Sequence, residues 1–137
     1  MWQTNAGGMR LALERLKWAL TYPKRRTEDD WRGRLRRAVA FLQTAWDDHT
    51  AFSESELTHL CDLSLLPFTA QSQRLLDLRR EHGTLTEQLA ALRSETEAGS
   101  RPDLLCRRTR KLLVLMENHL TAEQALVLDE SVDPSLR

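Results

Sequence analysis

The amino-acid sequence predicts an all-α protein folded as an up-down-up-down bundle of four helices. Apolar residues recur every three or four positions through most of the 137 residues, which is the spacing of one helix face. The period-2 alternation of β-branched residues that indicates strands is missing, and glycine and proline fall mostly between the periodic segments. The segments between the four predicted helices are short, and short loops connect antiparallel neighbours.

The first two helices are delimited by a proline and by a capping residue. The first is expected over about 8–22, because Pro23 cannot continue it. The second is expected over about 28–60, with Thr27 as its N-cap and acidic residues in its first turn. Its core-facing stripe becomes polar toward the C-terminal end and consists of Leu35, Val39, Leu42, Trp46, His49, Ser53 and Glu56.

The third helix, expected over about 70–93, has the most regular pattern, and His82 is the one polar residue in its seam. The other members of that seam are Leu75, Leu78, Leu85, Leu89 and Leu92. A polar loop is expected over 94–101, and Pro102 suits the first turn of a fourth helix over about 102–129. The stripe of this last helix contains Leu112, Leu115, His119, Glu123 and Leu126.

Composition argues against several classes of function. Twenty basic and twenty acidic residues balance, so no net field favours nucleic acid or an anionic membrane. No apolar run approaches the ~18 residues of a membrane span, and the N-terminus has no signal-peptide hydrophobic region. We therefore expect a cytoplasmic protein of one domain, 1–137, that binds neither nucleic acid nor membrane. We also expect no enzyme, because the sequence does not contain the two Glu-x-x-His motifs that di-iron carboxylate enzymes require, and it has no Gly-rich loop of the hydrolase type.

Polar residues fall on the core-facing stripes at one depth of the predicted bundle. His49, His82 and His119 lie about ten to twelve residues from the same end, so at ~1.5 Å per residue their levels agree to about one turn. Arg15 falls in the apolar arc of the first helix near that level, and its stem is expected to lie at the core edge with the guanidinium in water. Trp18 and Trp46 lie on the stripes of Arg15 and His49 and are expected to line this layer. Buried imidazoles need a hydrogen-bond partner, a counter-charge or a metal ion, so the sequence predicts a polar centre.

Three motifs carry these histidines: Leu-x-x-Glu-His-x-x-Leu over 78–85, His-x-x-x-Glu over 119–123, and the segment His-Thr-Ala-Phe-Ser-Glu over 49–54. In spacing and order they resemble the hemerythrin-like (HHE cation-binding) family of four-helix bundles, over roughly residues 8 to 130. Members of that family bind a pair of non-haem irons through histidines and bridging carboxylates, for dioxygen binding, redox or oxygen sensing, or iron handling. The resemblance implies metal ligands at His49, His82, His119 and Glu123, with Glu54 as a further candidate.

The chain departs from that family at two positions. Arg15 stands where the first-helix motif Leu-x-x-Glu-His has its ligand histidine, and Ser53 stands where a second-helix carboxylate is expected. Glu54 comes one residue later, which rotates it by about 100°. Three histidines and Glu123 remain, a set that suffices for one metal ion. Imidazole and carboxylate suit iron, with manganese or zinc as alternatives.

Two functions are consistent with these residues. The first is a metal-binding protein, expected to hold iron in a reduced, mononuclear site that serves oxygen, redox or metal sensing, with the metal ion and dioxygen as its partners. The second is a degenerate bundle without a metal that acts as a protein-interaction or regulatory module. In that case an inward Arg15 guanidinium would pair with Glu123 or Glu54.

Overall fold

A computed structural model describes the backbone of residues 2–21, 27–64 and 70–131 and the side chains of residues 8–21, 27–55 and 73–126. Its helices are α1 (Trp2–Leu20), α2 (Glu28–Ser64), α3 (Ala70–Ala98) and α4 (Pro102–Ser131). Each helix packs against the next one in the chain, and α1 also packs against α4, which closes the ring. The prediction of an all-α four-helix bundle is therefore confirmed, and the described residues contain no strand. That the whole chain 1–137 is one domain stays a prediction.

The C-terminal end of α3 differs from the sequence prediction. A loop was expected from residue 94, but the helix continues through Thr96, which is buried and whose hydroxyl donates to the Arg93 carbonyl at 2.7 Å. The helix ends at Gly99, which has a φ of 75° that glycine adopts without strain. The Ser100 amide then donates to the Glu95 carbonyl at 3.1 Å, the 6→1 bond of a Schellman cap. The prediction of a loop from residue 94 is wrong because a polar composition does not distinguish a loop from a helix whose outer face is in water.

The N-terminal end of α2 follows the prediction. The Thr27 hydroxyl accepts a hydrogen bond from the Asp30 amide at 3.2 Å, so Thr27 caps the helix. Arg32, one turn into α2, donates to the Ser100 carbonyl at 2.7 Å and ties this end of α2 to the turn between α3 and α4. These contacts stabilise the end of the bundle that contains the N-terminus of α2 and the turn between α3 and α4.

The core is apolar on α1 and mixed on the other three helices. The buried residues of α1 are Met9, Ala12, Leu13, Leu16 and Ala19. On α3 the predicted seam is buried throughout, at Leu75, Leu78, His82, Leu85, Leu89 and Leu92. The buried polar residues near the middle of the bundle come from α2, α3 and α4, whereas the described part of α1 contributes only apolar side chains to the core. None of the described helices combines the length and the apolar character that a bilayer crossing requires.

Candidate metal centre

Helix α4 places His119 and Glu123 one turn apart on its core-facing side, where they meet His49 from α2 and His82 from α3. All four side chains are buried, with at most 4% of each residue exposed. One potential ligand atom from each lies within 4.8 Å of the others, so this group could hold a metal ion. Among the residues whose side chains are described, no second group of this kind occurs.

The Glu123 carboxylate is the common neighbour of the three imidazoles. Its Oε1 lies 2.7 Å from Nε2 of His82 and also contacts Nε2 of His119, while its Oε2 lies 2.9 Å from Nε2 of His49. The Nε2 atom of every ring is therefore directed at one carboxylate. His119 Nε2 faces Glu123 without forming an aligned hydrogen bond.

Two of the rings contact a second carboxylate through their other nitrogen. His82 Nδ1 lies 2.9 Å from Oε1 of Glu54, and His119 Nδ1 lies 2.8 Å from Oε1 of Glu81. The side chains of Glu54 and Glu81 are 39% and 47% exposed. Each of these imidazoles thus connects the buried Glu123 to a carboxylate at the surface. The third ring, His49, has a buried Nδ1 without a hydrogen-bond partner.

The electrostatics of the cluster favour charge separation within it. Burial opposes ionisation of Glu123, but the contacts of its carboxylate with His119, His49 and His82 outweigh it and hold the pKa of this carboxyl well below its usual value of 4.5. Burial also opposes a charge on His82, yet the carboxylates of Glu123 and Glu54 outweigh it and raise the pKa of His82 above 6.5. Without a cation at the centre, the three imidazoles stabilise the negative charge of Glu123.

Trp46 lines the cluster on the α2 side, as the sequence predicted. The same prediction for Trp18 is wrong, because that side chain is exposed. The ring centroid of Trp46 lies 5.6 Å from those of His49 and His119 and 5.7 Å from that of His82. The indole N–H donates to the Thr86 hydroxyl at 2.8 Å, and that hydroxyl donates to the His82 carbonyl at 2.6 Å. The indole is thereby held in one orientation against all three rings, and its burial excludes water from this side of the site.

Ser53 and Glu54, the two remaining candidates on α2, lie at different places relative to the cluster. Ser53 is completely buried, and its hydroxyl lies 3.3 Å from His49 Nε2 and 3.4 Å from Glu123 Oε2, beside the candidate ligand atoms. Glu54 is not brought to those atoms, since it contacts the outer nitrogen of His82. The rotation of about 100° between successive helical residues accounts for this difference. Glu54 therefore lies behind a candidate ligand and outside the cluster of candidate ligand atoms.

Arg15 does not lie in the polar centre, and the prediction of an inward guanidinium that pairs with Glu123 or Glu54 is wrong. The residue is exposed, and its guanidinium lies 4.3 Å above the ring of Phe41 on the outside of α1 and α2. The apolar arc predicted for α1 is too wide, since Trp18, which shares the stripe of Arg15, is 60% exposed. The motif position that Arg15 matches thus points away from the core.

Sequence reasoning missed the roles of Glu81 and of Arg79. Glu81 belongs to the Leu-x-x-Glu-His-x-x-Leu motif, but the motif does not predict its contact with His119 of the next helix. Adjacent helical positions diverge by about 100°, so a residue next to His82 is suited to reach a neighbouring helix rather than the same centre. Arg79 donates from Nε to Oε2 of Glu54 at 3.1 Å. A carboxylate beside a core histidine was the signal that could have indicated such contacts.

The donor set fits one first-row transition metal ion. Ligand atoms at about 2.1 Å from a tetrahedral ion lie about 3.4 Å apart, so the longest separations here must shorten and the Glu123 carboxylate must move off the Nε2 atoms that it contacts. Three imidazole nitrogens and one carboxylate oxygen are ligands that iron, manganese and zinc accept. The Nδ1 contacts of His82 and His119 are the outer hydrogen bonds usual for histidines that bind a metal through Nε2. No ligand comes from the described part of α1.

Comparisons with known proteins find no relative: no protein-family model, no curated protein and no solved structure matches the chain. The inferred function therefore depends on the residues and contacts described above.

Proposed function

We propose that this protein is a metal-binding bundle of the hemerythrin-like kind that holds a single metal ion, iron, between α2, α3 and α4. His49, His82 and His119 would bind the ion through Nε2, and Glu123 would bind it through its carboxylate. The proposed role is oxygen, redox or metal sensing rather than catalysis. The observation that carries the proposal is the convergence of three Nε2 atoms on one buried carboxylate, with outer carboxylates on two of the Nδ1 atoms.

A count of hydrogen-bond donors supports a cation at this centre. Both nitrogens of His82 and both nitrogens of His119 face carboxylate oxygens, which can only accept hydrogen bonds when ionised. Without a metal ion, His82 needs a proton on each nitrogen to donate to Glu123 and Glu54, and the buried Nε2 of His119 meets Glu123 without an aligned hydrogen bond. With a divalent ion at the centre, each ring keeps the Nδ1 proton that it donates outward, and Nε2 is free to bind. One metal ion thus satisfies both Nε2 atoms.

The residues of the chain then have separate roles. Glu81 and Glu54 accept the Nδ1 protons and hold the rings of His119 and His82 with their lone pairs inward. Trp46 and the apolar face of α1 exclude water, which strengthens the electrostatic interactions inside the site. The Ser53 hydroxyl lies beside the ligand atoms and can donate a hydrogen bond there. An iron ion, when bound, supplies reversible redox chemistry and binding of small molecules at positions that the protein leaves unfilled.

The number of ligands favours one metal ion over a pair. Ser53 replaces a second carboxylate on α2, and the position on α1 that the resemblance assigns to a histidine is the exposed Arg15. The four ligands that remain meet the requirement of one ion, since mononuclear zinc and iron sites use three or four protein ligands.

One observation favours the alternative, a bundle without a metal that serves as an interaction or regulatory module. Glu123 already lies within ion-pair distance of all three histidines, and such pairing would satisfy most of the cluster without a cation. This alternative requires a doubly protonated, buried His82 and leaves His119 Nε2 without an aligned hydrogen bond, which is why we favour the metal.

The experiment is metal analysis of protein purified without chelator, followed by anaerobic titration of the metal-free protein with Fe(II). The variants are His82→Ala and His119→Ala. His59→Ala is the matched control, because position 59 lies ten residues beyond His49 on α2, about 15 Å along the helix.

Near-stoichiometric metal in the purified wild type and in the control, lost in the two site variants, would support the proposal. Folded wild-type protein that neither contains metal nor takes up Fe(II), Mn(II) or Zn(II) would refute it and leave the interaction module.

A further inference from the structure

The two surface carboxylates behind the cluster suggest how the affinity of the site is set. We propose that Glu81 and Glu54 are positioning residues that tune the site through His119 and His82, and that Arg79 weakens one of these two connections. The inference rests on the proposed metal site and goes beyond it, because it assigns a function to three residues that would not touch the metal.

Glu81 contacts His119 directly and does not share this contact with a described cation. Glu81 Oε1 lies 2.8 Å from Nδ1 of the fully buried His119, and among the described residues it has no second ion-pair partner. An acceptor with a full negative charge fixes the Nδ1–H tautomer, keeps Nε2 directed inward and makes that nitrogen a stronger donor to a metal ion.

The connection through Glu54 is shared with a cation. Glu54 contacts His82 Nδ1 with Oε1 at 2.9 Å, while its Oε2 accepts from Arg79 Nε at 3.1 Å. The Arg79 charge offsets part of the Glu54 charge, so His82 receives less electron density than His119. Arg79 and Glu54 are 41% and 39% exposed, so a change there alters the surface and leaves the packing of the core intact.

This arrangement gives three variants with different expected effects. Glu81→Gln keeps an acceptor of the same shape but removes the charge, and we expect affinity for the metal to fall about 10-fold or more, within the range measured for such outer residues. Glu54→Gln should weaken binding by a smaller factor, because Arg79 already offsets that charge. Arg79→Gln should strengthen binding about two- to fivefold, since it removes a positive charge near the ion.

The test uses Co(II), whose visible absorption reports binding, titrated into the metal-free wild type and the three variants. Glu87→Gln is the matched control: it is an exposed glutamate of α3 and the substitution removes the same charge from the same helix. A second readout separates positioning from general stability. In the Zn(II)-loaded protein labelled with ¹⁵N at histidine, Glu81→Gln should shift the Nδ1–H resonance of His119 only, and Glu54→Gln that of His82 only.

The outcomes distinguish this inference from the proposed function. Weaker Co(II) binding in Glu81→Gln than in Glu54→Gln, with the control at the wild-type value and with each resonance shift confined to one ring, would support it. Wild-type binding of Co(II) with Glu81→Gln equal to the control would overturn this inference alone. Weaker binding in Arg79→Gln would overturn the role of Arg79. A wild type that binds no Co(II) or Zn(II) would overturn both proposals.

Discussion

Glu123 Oε1 lies 2.7 Å from Nε2 of His82, across the bundle from α4 to α3, with both side chains almost completely buried. The same carboxylate contacts His49 and His119, so a single side chain joins the three helices that surround the polar layer. Its charge is therefore expected to determine both the stability of the metal-free protein and the attraction of a cation.

Glu123→Gln should destabilise the metal-free protein by about 3 kcal/mol, because removing one member of a buried ion pair leaves the other without its counter-charge. The same variant should no longer bind metal with measurable affinity. Urea denaturation in the presence of chelator measures the first effect. The control Glu87→Gln, at the exposed surface of α3, should change the free energy of unfolding by less than about 0.5 kcal/mol. A loss below about 1 kcal/mol for Glu123→Gln would contradict the central role of this carboxylate.

The ion pair between Glu123 and His82 should make the metal-free protein most stable in mildly acidic solution. The lowered pKa of Glu123 contributes stability that is present above pH 4.5 and is lost as the pH falls through the folded value. The raised pKa of His82 contributes stability that is present below pH 6.5 and is lost as the pH rises through its folded value. Urea midpoints of chelated protein from pH 3 to 9 measure the profile. Stability that keeps rising above pH 7 would contradict it, unless metal is bound.

Metal binding should release a proton, because His82, whose pKa is raised by Glu123 and Glu54, must give up its Nε2 proton to bind the ion. The release should decline at higher pH as His82 becomes neutral. Titration of Zn(II) into weakly buffered protein, with the pH recorded, measures it directly. An affinity for Zn(II) that does not change between pH 5.5 and 8 would be inconsistent with the donor count.

Trp46 and Thr86 should be coupled through the hydrogen bond of the indole. Trp46→Phe and Thr86→Val each remove one partner, and the double variant should cost about 1 kcal/mol less than the sum of the single changes. Denaturation of the four proteins of the cycle gives this coupling. Effects that add to within about 0.3 kcal/mol would show that the 2.8 Å contact does not contribute to stability.

The bundle and the cluster could be predicted from periodicity because both depend on which residues share a helix face. The seam of α3 placed His82 in the core, and the depths of His49 and His119 along antiparallel helices placed all three rings at one level. The structure has these side chains buried together. Such predictions need only the pitch of the helix and the order of the segments.

The outer contacts could not be predicted in the same way. Whether Glu54 faces the centre or the back of His82 depends on a rotation of about 100° and on a flexible side chain, which a periodic pattern does not resolve. The contact of Glu81 with His119 joins different helices, so it depends on how α3 and α4 pack. The extension of α3 to Ala98 could not be predicted either, because the polar residues around Thr96 give no sign that its side chain is buried.

Arg15 offers a test of the corrected orientation of α1. Since its guanidinium stacks on Phe41 outside the bundle, Arg15→Gln should leave metal affinity unchanged and cost at most about 1 kcal/mol of stability, the range of an exposed cation–π contact. Arg36→Gln, at an exposed position of α2, is the matched control for loss of one positive charge. If Arg15 instead faced the polar layer, its removal would relieve repulsion of the cation, and Co(II) affinity would rise well above that of the control. Equal Co(II) affinities for the two variants would place Arg15 outside the site and leave α1 as its apolar cover.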